Sequence, residues 1–79
     1  MVPIQARTAR TLLGHSRSEV AVGSNTSLSH VIQFETGALK RADVGAAMER
    51  YYGGHGIELI NEPGRVGVAL LQPNPVTAS

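Results

Sequence analysis

The three histidines are the residues best suited to metal binding or acid–base chemistry, and they are widely separated. His15, His30 and His55 include no pair with the i, i+4 spacing of a helical zinc site, and no HExxH motif is present. The chain has no cysteine, which excludes disulfides and thiolate metal sites. We therefore expect surface or capping histidines, no metal and no cofactor.

Two other patterns carry only part of a catalytic or ligand-binding signature. The glycine-rich stretch 53–56 follows no strand and lacks the GxxxxGK[ST] pattern of a phosphate-binding loop, so it marks the end of a helix. The carboxylates of Glu19, Glu35 and Asp43 are explained by helix caps and packing rather than by a shared pocket. With no converging set of titratable groups, the sequence predicts that the protein is not an enzyme.

Length, composition and charge limit the remaining classes of protein. The 79 residues suit one small domain, here 1–71 followed by a flexible tail at 72–79, and 42% hydrophobic with 16% charged residues suits a folded chain. No apolar run approaches the roughly 18 residues of a membrane span, and no signal peptide is visible, so we expect a cytoplasmic protein.

Charge is distributed unevenly along the chain. Residues 1–41 carry five basic and two acidic side chains, a balance of +3, whereas 42–79 carry two basic and four acidic, a balance of −2. This asymmetry could orient the protein on a polyanion, although on its own it favours the simpler explanation, chance scatter of surface charge.

Apolar spacing and capping residues predict four helices before a hairpin. Helices are expected at about 4–13, 17–22, 28–36 and, after an Asp43 cap, up to about 52. Ala6, Ala9, Leu12 and Leu13 supply the apolar face of the first helix. Ser16-Arg17-Ser18-Glu19 has the form of a capping box for the second helix. Two short apolar segments, at 57–60 and 66–70, flank a Pro-Gly turn and predict a β-hairpin.

The stretch from Ser16 to Gly37 has the spacing of two short helices across a tight turn. It contains Glu19-Val20-Ala21, then Asn25-Thr26-Ser27, then Val31, then Phe34-Glu35-Thr36-Gly37. This order resembles the phage repressor and Cro type of helix-turn-helix domain, the XRE family. Asn25 stands where that family usually has glycine, a mild departure because asparagine tolerates a left-handed backbone. The resemblance implies a mainly α fold, with four repressor-like helices followed by a C-terminal β-hairpin.

The resemblance also implies a DNA-binding surface on the third helix, whose N-terminal part enters the major groove in such proteins. The residues expected to contact bases are Ser27, Leu28, Ser29, Ile32 and Gln33. Those expected to contact phosphates are Arg17, Thr36, Lys40 and Arg41. By the same resemblance, Arg10 and Glu35 are predicted to form an ion pair that joins the first helix to the third.

Two functions fit this pattern. The first is a sequence-specific, double-stranded DNA-binding transcriptional regulator that binds as a homodimer. The second is a protein-binding regulator on the same fold, such as an antiactivator or an antitoxin-like partner, because the third helix has no lysine or arginine and exposes Leu28 and Ile32.

The predicted hairpin is the expected dimer interface. A lone two-stranded hairpin is only marginally stable and has unpaired edges, so a second chain would stabilise it. The residues expected in that interface are Ile57, Leu59, Val66, Val68 and Leu70. The alternative is that the hairpin packs on helices of its own chain.

Overall fold

The computed structural model describes residues 1–71, and the tail predicted at 72–79 lies outside the described residues. The elements in chain order are α1 (Pro3–Leu13), α2 (Arg17–Ser24), α3 (Leu28–Glu35), α4 (Ala42–Gly54), β1 (Ile57–Glu62) and β2 (Arg65–Leu70). The strands form an antiparallel two-stranded sheet. The predicted class, mainly α with four helices followed by a C-terminal hairpin, is confirmed.

Local side-chain chemistry sets the boundaries of α1 and α2. Pro3 is the first residue of α1, where a missing N–H costs nothing, and Gly14 ends the helix with φ at 70°. At the start of α2 the Ser16 hydroxyl accepts a hydrogen bond from the Glu19 amide, and the Glu19 carboxylate accepts one from the Ser16 amide. Asn25 ends α2 in the left-handed region, with φ at 58°, so α2 extends two residues beyond its predicted end.

The expected cap of α4 is wrong. Arg41 occupies the N-cap position and α4 begins at Ala42, so Asp43 lies within the first turn. The Asp43 carboxylate accepts hydrogen bonds of 2.6 and 3.1 Å from the Arg41 guanidinium. A carboxylate in the first turn still interacts favourably with the helix dipole.

A single apolar core lies between the helices and the base of the hairpin. Its members are Ala6, Ala9, Val20, Ala21, Val31, Phe34, Val44, Met48, Tyr52 and Ile57. One expected core residue lies elsewhere. Leu12 is 46% exposed, because the buried face of α1 runs through Gln5, Ala6 and Ala9.

The hairpin packs on the helices of its own chain, β2 against α1 and β1 against α4. Glu62 pairs with Arg65 across a two-residue turn in which Gly64 has φ at 78°, a conformation that favours glycine. Ile57 is buried in the core, whereas Val66 near the turn is 58% exposed. Ile57 is therefore not on a surface that a second chain could reach.

A buried glutamine attaches α1 to the hairpin. The Gln5 side-chain amide donates hydrogen bonds of 3.1 Å to the carbonyl of Ile60 and 3.0 Å to that of Gly67, two residues paired across the strands. Its side-chain oxygen accepts a bond from the Val2 amide. Gln5 precedes Ala9 by one helical turn, so its place on the buried face was readable from the sequence, but its partners were not.

Among residues 1–71, no helix is long and apolar enough to cross a membrane.

Candidate nucleic-acid interface

Helix α3 is held by one face and presents the opposite face to solvent. The Ser27 hydroxyl accepts a hydrogen bond of 3.0 Å from the His30 amide and so caps the helix. Val31, Phe34 and Glu35 are buried against the rest of the domain. All five residues expected to contact bases, and all four expected to contact phosphates, are exposed.

Two outward residues of α3 are linked to each other. The Gln33 side-chain amide donates a hydrogen bond of 3.0 Å to the Ser29 hydroxyl, one turn earlier. This bond uses one of the two N–H groups of Gln33 and leaves its carbonyl oxygen and second N–H available. The pair is therefore a polar unit on the outer face, already oriented before any ligand arrives.

At the C-terminal end of α3, Glu35 is buried and joins two arginines from other elements. The predicted pair is present: Arg10 donates hydrogen bonds of 2.7 and 3.2 Å to the two oxygens of Glu35. Arg17 at the start of α2 also donates to Glu35, at 3.1 Å. The hydrogen bond to Glu35 raises the pKa of Arg10. Two cations on one carboxylate leave a net positive charge where α1, α2 and α3 meet.

The partner of Arg17 was not predicted. This residue was expected to contact phosphate, and its side chain remains 45% exposed while it pairs with Glu35. Its position next to the capping serine, Ser16, gave no indication of the pairing, since Glu35 lies 18 residues further along the chain. A half-exposed guanidinium has five N–H donors, so the Glu35 bond leaves others for an anion.

The basic residues after α3 are Lys40 and Arg41. The Asp43 carboxylate raises the pKa of Arg41 chiefly through its hydrogen bonds, and the same contact lowers the pKa of Asp43. Both side chains are exposed, so this pair contributes little stability and can exchange for a phosphate. Arg41 also lines a shallow depression with Ser27 and His30, which places a cation beside the N-terminus of α3.

Two of the widely separated histidines meet in the fold. The ring centroids of His15 and His55 are 5.2 Å apart, and the Tyr51 hydroxyl lies 2.7 Å from Nδ1 of His15. Partial burial raises the pKa of Tyr51, and the negative charge of Glu19 adds a smaller increase. Nothing in the spacing of these residues indicated the cluster. Residues 1–71 contain no group of three or more His, Cys, Asp or Glu side chains that could hold a metal ion.

Comparison with protein-family models finds no match to this chain, and comparison with curated proteins finds none either. The geometry itself is that of a short exposed helix with a polar pair, two apolar side chains and flanking cations. Such a surface can form hydrogen bonds, apolar contacts and ion pairs with a ligand.

Proposed function

We propose that the protein is a sequence-specific, double-stranded DNA-binding transcriptional regulator of the XRE type, acting in the cytoplasm and without catalytic activity. The observation that carries the proposal is the outer face of α3. It exposes Ser29 and the oriented amide of Gln33 on a helix whose opposite face is fixed by packing. A helix presented in this way fits the major groove, where amide and hydroxyl groups can bond to base edges.

The charges around α3 support the same proposal. The ion pair with Glu35 holds Arg17 near the C-terminal end of α3, and Arg41 lies near the N-terminus of α3. Lys40 is exposed on the segment between α3 and α4. Cations at both ends of a helix can hold phosphates on the two sides of a groove and so fix the register of the helix on the bases.

Selection from a pool of random duplexes, followed by a footprint, tests the proposal. The expected result is one enriched sequence with a protected region that contains it. Affinity for that sequence should fall steeply with salt, because bound phosphates release counterions. A pool without an enriched sequence would contradict the proposal.

The roles of two exposed side chains can be separated in the same assay. Gln33→Ala is expected to weaken the preferred duplex by about 1–3 kcal/mol and to relax its sequence preference, whereas Lys40→Ala should weaken all duplexes alike. Identical behaviour of the two variants across a set of mutated duplexes would contradict this assignment.

We further propose that the working form is a homodimer on a palindromic operator. One recognition helix spans too few base pairs to select a site, whereas two helices about one turn of DNA apart can do so. The hairpin remains the proposed dimer interface, but only the part of it that lies outside the chain's own core. Val66 is 58% exposed, and Ile57 belongs to the core of its own chain. Leu59, Val68 and Leu70 pack against that core and are only partly buried, so each keeps some exposed surface.

Sedimentation at micromolar concentration tests the dimer. A species of twice the 8.3 kDa chain mass is expected, and Val66→Asp should shift it towards the monomer. Glu58→Asp, a conservative change at an exposed strand position, serves as the control and should leave the dimer intact. A monomer that binds a palindrome with one chain per duplex would contradict the dimer.

One observation favours a second function, a protein-binding regulator on the same fold. Helix α3 has no lysine or arginine, and Leu28 and Ile32 are 44% and 39% exposed. Docking of a protein through these two side chains would respond little to salt, unlike binding to phosphates. The salt dependence of the isolated complex therefore distinguishes the two functions.

A further inference from the structure

The outer face of α3 carries two parallel rows of side chains, one apolar and one polar. Leu28 and Ile32 are four residues apart and form the apolar row, 44% and 39% exposed. Ser29 and Gln33 have the same spacing and form the polar row, joined by the hydrogen bond of 3.0 Å. Side chains four residues apart lie on one face of a helix, so the two rows run side by side along it.

The side chains that α3 lacks narrow the bases it can read. Guanine is most often read by two donors from arginine or lysine, and α3 has neither residue. Cytosine is read by a carboxylate that accepts from its amino group. The only carboxylate of α3 is Glu35, which is 1% exposed and already bonded to Arg10 and Arg17. The helix therefore exposes neither an arginine or lysine for guanine nor a carboxylate for cytosine.

The two rows match what an A·T pair presents in the major groove. Adenine offers an acceptor at N7 and a donor at N6, and thymine offers a methyl group. Gln33, with one N–H held by Ser29, keeps one carbonyl oxygen and one N–H, which complement the donor and acceptor of adenine. Leu28 and Ile32 can pack against the methyl groups of thymine. This contact would exclude water from the methyl groups.

On these grounds we propose that α3 reads neighbouring A·T pairs, with thymine methyl groups seated on Leu28 and Ile32 and an adenine edge bonded by Gln33. This inference rests on the proposed DNA-binding function and adds the class of base that α3 selects. Duplex DNA rather than a protein is the occupant because Arg10 and Arg17 share Glu35 and leave a net positive charge at the C-terminal end of the face. At the N-terminal end the exposed Arg41 is paired with Asp43 and keeps further N–H groups for a phosphate.

Replacement of thymine by uracil in the selected duplex tests the inference, since it removes only the methyl group. Each contacted methyl is expected to contribute roughly a three- to tenfold difference in Kd, and uracil outside the footprint should have no effect. In Leu28→Ala and Ile32→Ala, the difference between thymine and uracil should disappear at the position that each side chain covers. Val22→Ala is the matched control, because Val22 is an apolar residue on α2 that is 83% exposed, and it should keep the full difference.

The outcomes separate this inference from the function on which it rests. Equal binding of thymine and uracil duplexes at every position, or an enriched sequence with G·C pairs beneath α3, would overturn the inference and leave DNA binding intact. Failure to enrich any duplex would overturn both. Circular dichroism of the variants checks their folding, and since both leucine and isoleucine sites are exposed, two independent variants are available if one does not fold.

Discussion

Two buried polar side chains attach α1 to different regions of the protein, and the attachments differ in kind. Glu35 joins α1 to the helix-turn-helix unit, formed by α2 and α3, through charge-assisted bonds to Arg10 and Arg17. Gln5 joins α1 to the hairpin through neutral bonds to the carbonyls of Ile60 and Gly67. Both residues are 1% exposed.

This difference predicts which region tolerates the substitution of an attaching residue. A charged attachment leaves an uncompensated buried charge when one partner is lost, whereas a neutral one leaves only unsatisfied polar groups. The helix-turn-helix unit, which presents the proposed DNA-binding face, should therefore be held in place more stringently than the hairpin. The hairpin should depend mainly on apolar burial. Substitutions at Glu35, Ile57 and Gln5 test this contrast, and substitutions at Gly23 and Asn25 test how α2 itself is held.

The largest effect is expected at the charged attachment. Glu35→Ala leaves Arg10, whose side chain is 19% exposed, beside the core without its partner. The expected loss is about 3–5 kcal/mol of unfolding free energy, measured by urea denaturation. The control is Glu58→Ala at an exposed position, with a change within about 0.5 kcal/mol. If the two variants had similar stability, the charged attachment would not be what holds the unit.

The next effect is expected at the base of the hairpin. Ile57→Ala removes a side chain that is 6% exposed and part of the core, so it should cost about 2–4 kcal/mol. Val66→Ala, near the turn and 58% exposed, should change stability by less than about 0.5 kcal/mol. Both stability changes are measured by thermal denaturation at the lowest workable protein concentration, so that contacts between two chains contribute as little as possible. Equal losses would show that the whole hairpin, not only its base, belongs to the core.

A close contact between α2 and α4 supplies the third test. A Cβ added at Gly23 would lie 2.6 Å from Cδ1 of Tyr51 and closer still to Cε1. Gly23→Ala should therefore cost about 1–2 kcal/mol, although alanine favours a helix by about 1 kcal/mol. Gly53→Ala, with nothing near the added atom, should stabilise α4 by up to about 1 kcal/mol.

The source of that cost can be checked in a double mutant. In a Tyr51→Ala background the added methyl group has no ring to displace, so Gly23→Ala should become neutral or stabilising. Additive effects of the two substitutions in denaturation experiments would argue against the contact as the cause.

The neutral attachment should be weaker than the charged one. Gln5→Leu removes the bonds to both strand carbonyls but places an apolar group of similar size in the core, so we expect a loss of about 1–2 kcal/mol. Gln33→Leu, the same change at an exposed position, should leave stability nearly unchanged. A loss at Gln5 as large as that of Glu35→Ala would remove the proposed contrast between the two regions.

The smallest effect is expected in the turn between α2 and α3. Asn25 has φ at 58°, which glycine adopts without steric strain but with a larger loss of conformational entropy, so Asn25→Gly should stabilise the protein by less than about 1 kcal/mol. Asn25→Ala should destabilise it by about 1 kcal/mol, because alanine disfavours this region. Shifts of the thermal midpoint in opposite directions are the expected readout, and shifts in one direction would contradict the turn geometry.

The sequence alone determined the helices, most of their boundaries and the composition of the exposed face of α3. The capping residues act within four positions of the groups they satisfy, as Ser16 does with Glu19, so their effect is readable locally. The pair between Arg10 and Glu35 was predicted from family resemblance rather than from spacing. The start of α4 was misplaced because the Asp43 carboxylate, expected to cap the helix, lies in its first turn and bonds to the guanidinium of Arg41, the N-cap residue.

Only the tertiary structure decided which distant groups meet. Gln5 bonds to a carbonyl 62 residues away, and His15 bonds to Tyr51 across 36 residues. The tertiary structure also pairs Arg17 with Glu35 and buries Ile57 in the core of its own chain. Apolar spacing shows which face of a strand or helix is buried, but the packing of all the elements together decides what that face is buried against.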